Sequence, residues 1–216
     1  MNARFIAVFA ALVLVASAIP AQAGPMLDDA VVALSHVEDY TDTLTVHETS
    51  GTNSDDHTYN YAFKKPNLVK LDVTSGSNKG GGIVWTGGDK VSGHRGGFLS
   101  GIHLKLDLHD KQVVSLRGDS IDTGTFAAML DRMKTIKGEL TEAAGPALAG
   151  VATDAVSLRV ADPTANKGVT REVLYLSKTT HLPLRREQYV GDAVVKTETV
   201  SNLKTNVGLQ PSDFPF

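Results

Sequence analysis

The chain has no cysteine among its 216 residues. That excludes a disulfide scaffold and a thiol nucleophile, and it leaves no residue to accept a lipid after export. An excess of positive charge is missing as well, with 21 Lys and Arg against 24 Asp and Glu. Without residues 1–23, which hold Arg4 and no acid, 20 stand against 24, a net of −4. This mild acidity argues against nucleic acid as a partner and gives no electrostatic reason to dock on anionic lipid. Internal repeats, linkers of disordered composition and a second long apolar run are also absent. The expectation is therefore one domain that stands on its core, in which a mature chain of roughly 190 residues buries about 70% of its unfolded surface.

The one apolar run that is present sits at the start. Met1–Arg4 is short and basic, Phe5–Ile19 is uninterruptedly apolar, and Ala21-Gln22-Ala23 is a small-x-small site. Pro20 and the polar sequence after it cut the run short of the ~20 residues that a spanning helix needs. Residues 1–23 are expected to be a signal peptide cleaved near Ala23, and residues 24–216 the exported domain.

Apolar spacing then divides the mature chain. Leu27, Ala30, Val31, Leu34 and Val37 recur with the helical period. Period two follows over Tyr40–Glu48, over His57–Lys65 with Tyr59, Tyr61 and Phe63 on one face, and over Val69, Leu71 and Val73. Ile83–Thr86, Lys90–His94 and Ile102–Leu108 continue as short strands; Ile102, Leu104, Leu106 and Leu108 alternate with His103, Lys105 and Asp107, as a half-buried antiparallel strand does. A long helix is expected over Thr125–Ala144, with Phe126, Met129, Leu130, Met133, Ile136 and Leu140 as its stripe and Asp122 or Thr123 as its cap. Period two returns over Val151–Asp162, Thr170–Ser177, Pro183–Val190 and Ala193–Leu203, with Gly191-Asp192 as a two-residue hairpin. With all strands antiparallel, the fold class is α+β: a strongly curved sheet with two main helices covering its concave face.

Several short motifs resemble a known family. Lys64-Lys65-Pro66-Asn67-Leu68 leads into the strand Val69–Thr74, then a glycine turn and Ile83-Val84-Trp85. Thr179-Thr180-His181-Leu182-Pro183-Leu184-Arg185-Arg186-Glu187 resembles a characteristic strand entry, and Asn202–Leu209 with Asp213-Phe214 a closing strand and tail. Together they resemble the outer-membrane lipoprotein-sorting (LolA-like/LolB-like) superfamily. Gly80–Arg132, with Gly96-Gly97 and Leu116-Arg117-Gly118, is closer to an uncharacterised exported branch. The resemblance implies an incompletely closed antiparallel barrel with helices on its concave side, a periplasmic location, and lipid or acyl chains as ligands. Tyr40–Lys65 has no arginine to match the one that helps retain the lid in the classical carrier.

On that fold, Phe63, Leu71, Trp85, Phe98, Leu104, Leu106, Met129 and Met133 are the candidate cavity lining, and Arg95 is a candidate cation at its mouth. Each exposed methylene of an acyl chain costs about 0.8 kcal/mol in water, and methionine adapts to irregular apolar guests. Taken one at a time, the same residues read first as core filling, and only their sum on such a fold points to a cavity. His94, His103 and His109, with Asp107 and Asp110 nearby, do not form a metal motif. No serine sits in a G-x-S-x-G elbow, and a Ser-His-Asp set assembled from this many candidates has little weight without geometry. The glycine run after Lys79 precedes a strand, so it reads as a turn and not as a phosphate loop. Arg117 is expected to pin the long helix by hydrogen bonds.

The expectation is a non-catalytic periplasmic carrier or sensor, a monomer without cofactor or metal, whose ligand is a lipid or the acyl chain of a lipoprotein. The alternatives are an envelope protein-interaction module with a filled core and, third, a periplasmic hydrolase.

Overall fold

The computed structural model describes residues 24–99 and 101–215; the expected signal peptide lies outside them. In chain order the elements are α1 (Pro25–Ser35), β1 (Asp39–Ser50), β2 (Asn53–Lys64), β3 (Leu68–Ser75), β4 (Gly82–Trp85), β5 (Lys90–His94), β6 (His103–Asp107), α2 (Phe126–Thr135), β7 (Gly138–Ala144), β8 (Thr153–Val160), β9 (Arg171–Ser177), β10 (Pro183–Val190) and β11 (Ala193–Thr205). The strands form one antiparallel sheet in the order β6-β5-β4-β3-β2-β1-β11-β10-β9-β8-β7, left open at β6 and β7. None of the described helices is long and apolar enough to cross a membrane.

Turn chemistry sets the registers. Ser50 pairs with Asn53 across Gly51-Thr52, and Val190 with Ala193 across Gly191-Asp192. The first turn residue of each hairpin has positive φ, +60° at Gly51 and +59° at Gly191, as two-residue hairpins of this hand require. The period-two pattern places Tyr40 and Leu44 of β1, Tyr61 and Phe63 of β2 and Val69 of β3 on the inner face, in one core with Leu27, Phe126, Met129 and Met133 of the helices. Tyr40 is its centre. Its ring stacks on Phe126 at 4.3 Å and on Phe63 at 5.0 Å, and its hydroxyl oxygen accepts from the Phe126 N–H at 3.2 Å.

The second helix is half the expected length. It ends at Thr135, and residues from Gly138 onward form β7, paired with β8 from Gly138↔Val160 to Ala144↔Asp154. Ile136 and Leu140 are four residues apart, a spacing that satisfies both the helical and the strand period. The half-buried positions after the helix are 136, 138, 140 and 142, which is period two. Gly138 decides the matter locally, because a Cβ there would press onto the Arg159 carbonyl oxygen across the ladder. The cap is Thr125, not Asp122 or Thr123: its Oγ1 accepts from the Ala128 N–H at 3.1 Å, while Ile121–Gly124 form a separate 3-10 turn. A ten-residue helix is marginal alone. Phe126, Met129, Leu130 and Met133, each 2% exposed, hold it at about 2 kcal/mol of burial apiece.

Candidate functional site

Because α2 packs flush, the open space on the inner face lies elsewhere. After Leu108 the chain crosses β1–β5 as a segment of turns, residues 108–124, before it enters α2. Val113 packs against the core, and Ile121 is buried in it. Between this roof and the sheet is a trough of about 290 Å³. Leu44, Val46, Tyr59, Tyr61, Leu71, Val73 and Ile83 come from the sheet, and Val113, Leu116 and Ile121 from the roof. A second cavity of about 420 Å³, lined by Val91, Leu104, Leu106, His94 and Arg95, adjoins it through shared Asn78, Ile83, Gln112 and Val113.

Among the expected lining residues, Leu71 lies in the trough, and Leu104, Leu106 and Arg95 in the adjoining cavity. Phe63, Met129 and Met133 belong to the closed core and line neither space. Trp85 packs against that core while its indole N–H donates to the Gly88 carbonyl at 2.9 Å. Phe98 is 95% exposed. The structure therefore assembles four of the nine and distributes the rest.

One end of the trough is charged, which the apolar pattern concealed. Lys196, only 3% exposed, reaches Glu48 at 2.8 Å, Asp119 at 2.8 Å and Glu198 at 3.0 Å. Arg186 reaches Glu198 at 2.7 Å, and Glu172 accepts from Arg132 and Gln188 at 2.9 Å each. Several of these atoms, Glu48 Oε1 and Arg186 Nε among them, have short charge contacts but no aligned hydrogen bond. At such distances the charges compensate one another, so the pairs count as made. Burial alone would lower the Lys196 pKa, but Glu198, Asp119 and Glu48 raise it above the usual lysine range. Burial would likewise raise Asp119; the charge of Lys196 and hydrogen bonds from Lys167 and Lys196 overcome that and hold it well below the usual carboxylate range. A signal existed in the sequence: Lys196 and Glu198 share the parity of buried Val200 on β11.

This network clamps the roof. Asp119 joins Lys196 of the sheet to Lys167 of the 163–168 loop at 2.7 Å. Arg117 donates its backbone N–H to Glu48 at 3.0 Å and its guanidinium to the carbonyls of Thr49 and Lys167. Its partners are thus the β1–β2 hairpin and that loop, not α2 as expected. His94 and His103 face each other across β5 and β6 with ring centroids 5.4 Å apart. Among the described residues no group of three His, Asp or Glu is placed to hold a metal ion.

No protein-family model matches the sequence, and no curated protein sequence does. Solved structures do match. MucB is 12% identical with a TM-score of 0.52, over 88% of this chain and 62% of its own, and has also been solved in complex with MucA(peri). LprF from Mycobacterium bovis is 17% identical over 88% of this chain and 94% of its own, with a TM-score of 0.48. A LolA superfamily protein from Nitrosomonas europaea is 12% identical over 92% and 99%, with a TM-score of 0.41. The likeness to MucB is one of fold, and this chain spans 62% of MucB's length. The open antiparallel sheet with helices on its inner face is the architecture that the LolA-like motifs implied.

Proposed function

We propose that the protein is an exported, periplasmic binding protein that shelters the apolar part of an amphiphile, a lipid or a lipoprotein acyl chain, in the trough beneath residues 108–124. The observation that supports this is the unfilled space between an apolar sheet face and a clamped roof, adjoining a second cavity with Arg95 at its rim. Together the two spaces fall in the range typical of small-molecule sites. Buried methylenes supply affinity at about 0.8 kcal/mol each without directional contacts. The charged end bounds the trough without binding a head group, because its groups are already mutually paired; Arg95 is left as the cation for a polar head. Carriage and sensing both use such a site, and the fold shared with MucB, itself solved with a protein partner, keeps an envelope protein partner as a second role.

Ile83 borders both spaces. Native mass spectrometry of the mature protein incubated with oleate is expected to show a one-ligand adduct. Ile83→Trp should lower its occupancy about tenfold while preserving the folded charge-state envelope. A bare mass for the parent at saturating oleate contradicts the proposal.

A further inference from the structure

At the rim of the trough three side chains stand in a relay that no motif announces. The Oγ of Ser77 lies 3.0 Å from Nε2 of His57, and Nδ1 of His57 lies 3.3 Å from the Asp55 carboxylate. All three line the trough. Asp55 and His57 project from β2 on the same face as Tyr59, on which the His57 ring stacks at 5.5 Å. Ser77 comes from the β3–β4 loop. Gly76 brings it in: with φ +99° the chain turns so close to β2 that a Cβ would meet the Asp56 carbonyl oxygen, and the His57 ring at 2.9 Å. The relay depends on this close approach of a loop to a strand, so no local sequence pattern carries it.

We propose that Ser77, His57 and Asp55 form a nucleophilic relay that cleaves carboxylic esters presented by the trough. Nucleophile, base and orienting carboxylate are within reach of one another, the arrangement that acyl transfer uses on unrelated folds. His57 Nε2 also lies 2.9 Å from the Ser77 carbonyl oxygen. A ring protonated on Nε2, whether charged or neutral, therefore donates to the loop and is inactive as a base. The base is the neutral tautomer with its proton on Nδ1, the nitrogen 3.3 Å from the Asp55 carboxylate, which leaves the Nε2 lone pair to the Ser77 hydroxyl. The N–H groups of Asn78, at φ +61°, and of Lys79 donate to no acceptor among the described residues. In the proposed reaction these two N–H groups, directly after the nucleophile in the chain, serve as the oxyanion donors.

In the reaction, Ser77 Oγ attacks the ester carbonyl carbon while its proton passes to His57 Nε2. The ester C–O bond breaks and the alcohol leaves with that proton. Water then attacks the acyl-serine, giving a proton to His57 that returns to Ser77 Oγ as the carboxylic acid departs. No oxidant, metal or cofactor is needed. The delivery of an ester by the trough rests on the binding proposal, whereas the relay itself rests on the distances among Ser77, His57 and Asp55.

Diisopropyl fluorophosphate, small enough to need no apolar trough, tests the nucleophile itself, and p-nitrophenyl octanoate tests turnover. The expected result is one phosphoryl adduct, mapped to Ser77 by peptide mass spectrometry, that is lost in Ser77→Ala and His57→Gln. Ester turnover should fall at least hundredfold in both variants, and Asp55→Asn should lower kcat with little change in KM. Oleate uptake by each variant is read alongside by native mass spectrometry, so that turnover lost with the oleate adduct retained marks loss of chemistry and not of binding. No adduct on Ser77, or an adduct and turnover indifferent to His57→Gln, would overturn the relay and leave His57 as a tie between β2 and the loop.

Discussion

Asp42 shows most sharply what one residue can cost this fold. It sits on the inner face of β1 between Tyr40 and Leu44, is 7% exposed, and its Oδ1 has no hydrogen-bond partner. Burial pushes its carboxyl up to about 7 from an ordinary 3.8. A raised carboxylate pKa means that the folded state binds the proton more tightly than the unfolded one. Stability is therefore lost as pH rises from about 4 to about 7, by about 4 kcal/mol at most. Asp42→Asn is expected to melt at a higher temperature than the parent at pH 8, with the gap closing at pH 4. Equal melting temperatures at both pH values would contradict this. Asp42 alternates correctly with buried neighbours, yet nothing in the sequence distinguishes a buried carboxylate without a partner from Glu48, which finds two. Partners come from the 115–120 segment and β11, far away in the chain.

At the scale of elements, the roof is held by charge at one end and by packing at the other. Asp119 bridges Lys196 and Lys167, and its depressed pKa means that its stabilising contribution is present above the usual carboxylate range and is lost only in strong acid. Asp119→Asn removes one partner from a buried network, a change worth about 3 kcal/mol. Hydrogen exchange at neutral pH should accelerate at residues 115–120 in this variant and stay slow in the paired strands β1, β10 and β11. Unchanged exchange in the roof would show that the clamp does not hold it. Most strands were legible from period two, because each has one buried face. The long second helix was not, because Ile136 and Leu140 satisfy two periods at once and only Gly138's cross-strand contact separates them. The roof has no period at all; its turns are fixed by Asp119 and Arg117 acting on distant strands.

The whole molecule is an open sheet in which β1 and β11, from opposite ends of the described chain, pair at the centre. The two helices cover a closed core that includes Tyr40, Phe63 and Val69 of β1–β3, and the rest of the β1–β5 half is left to a crossing segment instead of a helix. The fold is thus readable from strand period and from the short motifs that resemble LolA-like proteins. The lining of the two spaces is legible only in part: strand parity and loop composition point to Leu71, Leu104, Leu106 and Arg95, whereas Phe63, Met129 and Met133 share the same apolar character and belong to the core. Composition does not say which apolar face meets a helix and which meets a gap. Photo-crosslinking with a diazirine-bearing fatty acid, read by peptide mass spectrometry, tests that gap most directly. Adducts are expected on the trough residues Tyr59, Tyr61, Leu71 and Val113 and should be displaced by excess oleate; adducts confined to exposed positions such as Phe98, or none that oleate displaces, would contradict a sheltered apolar site.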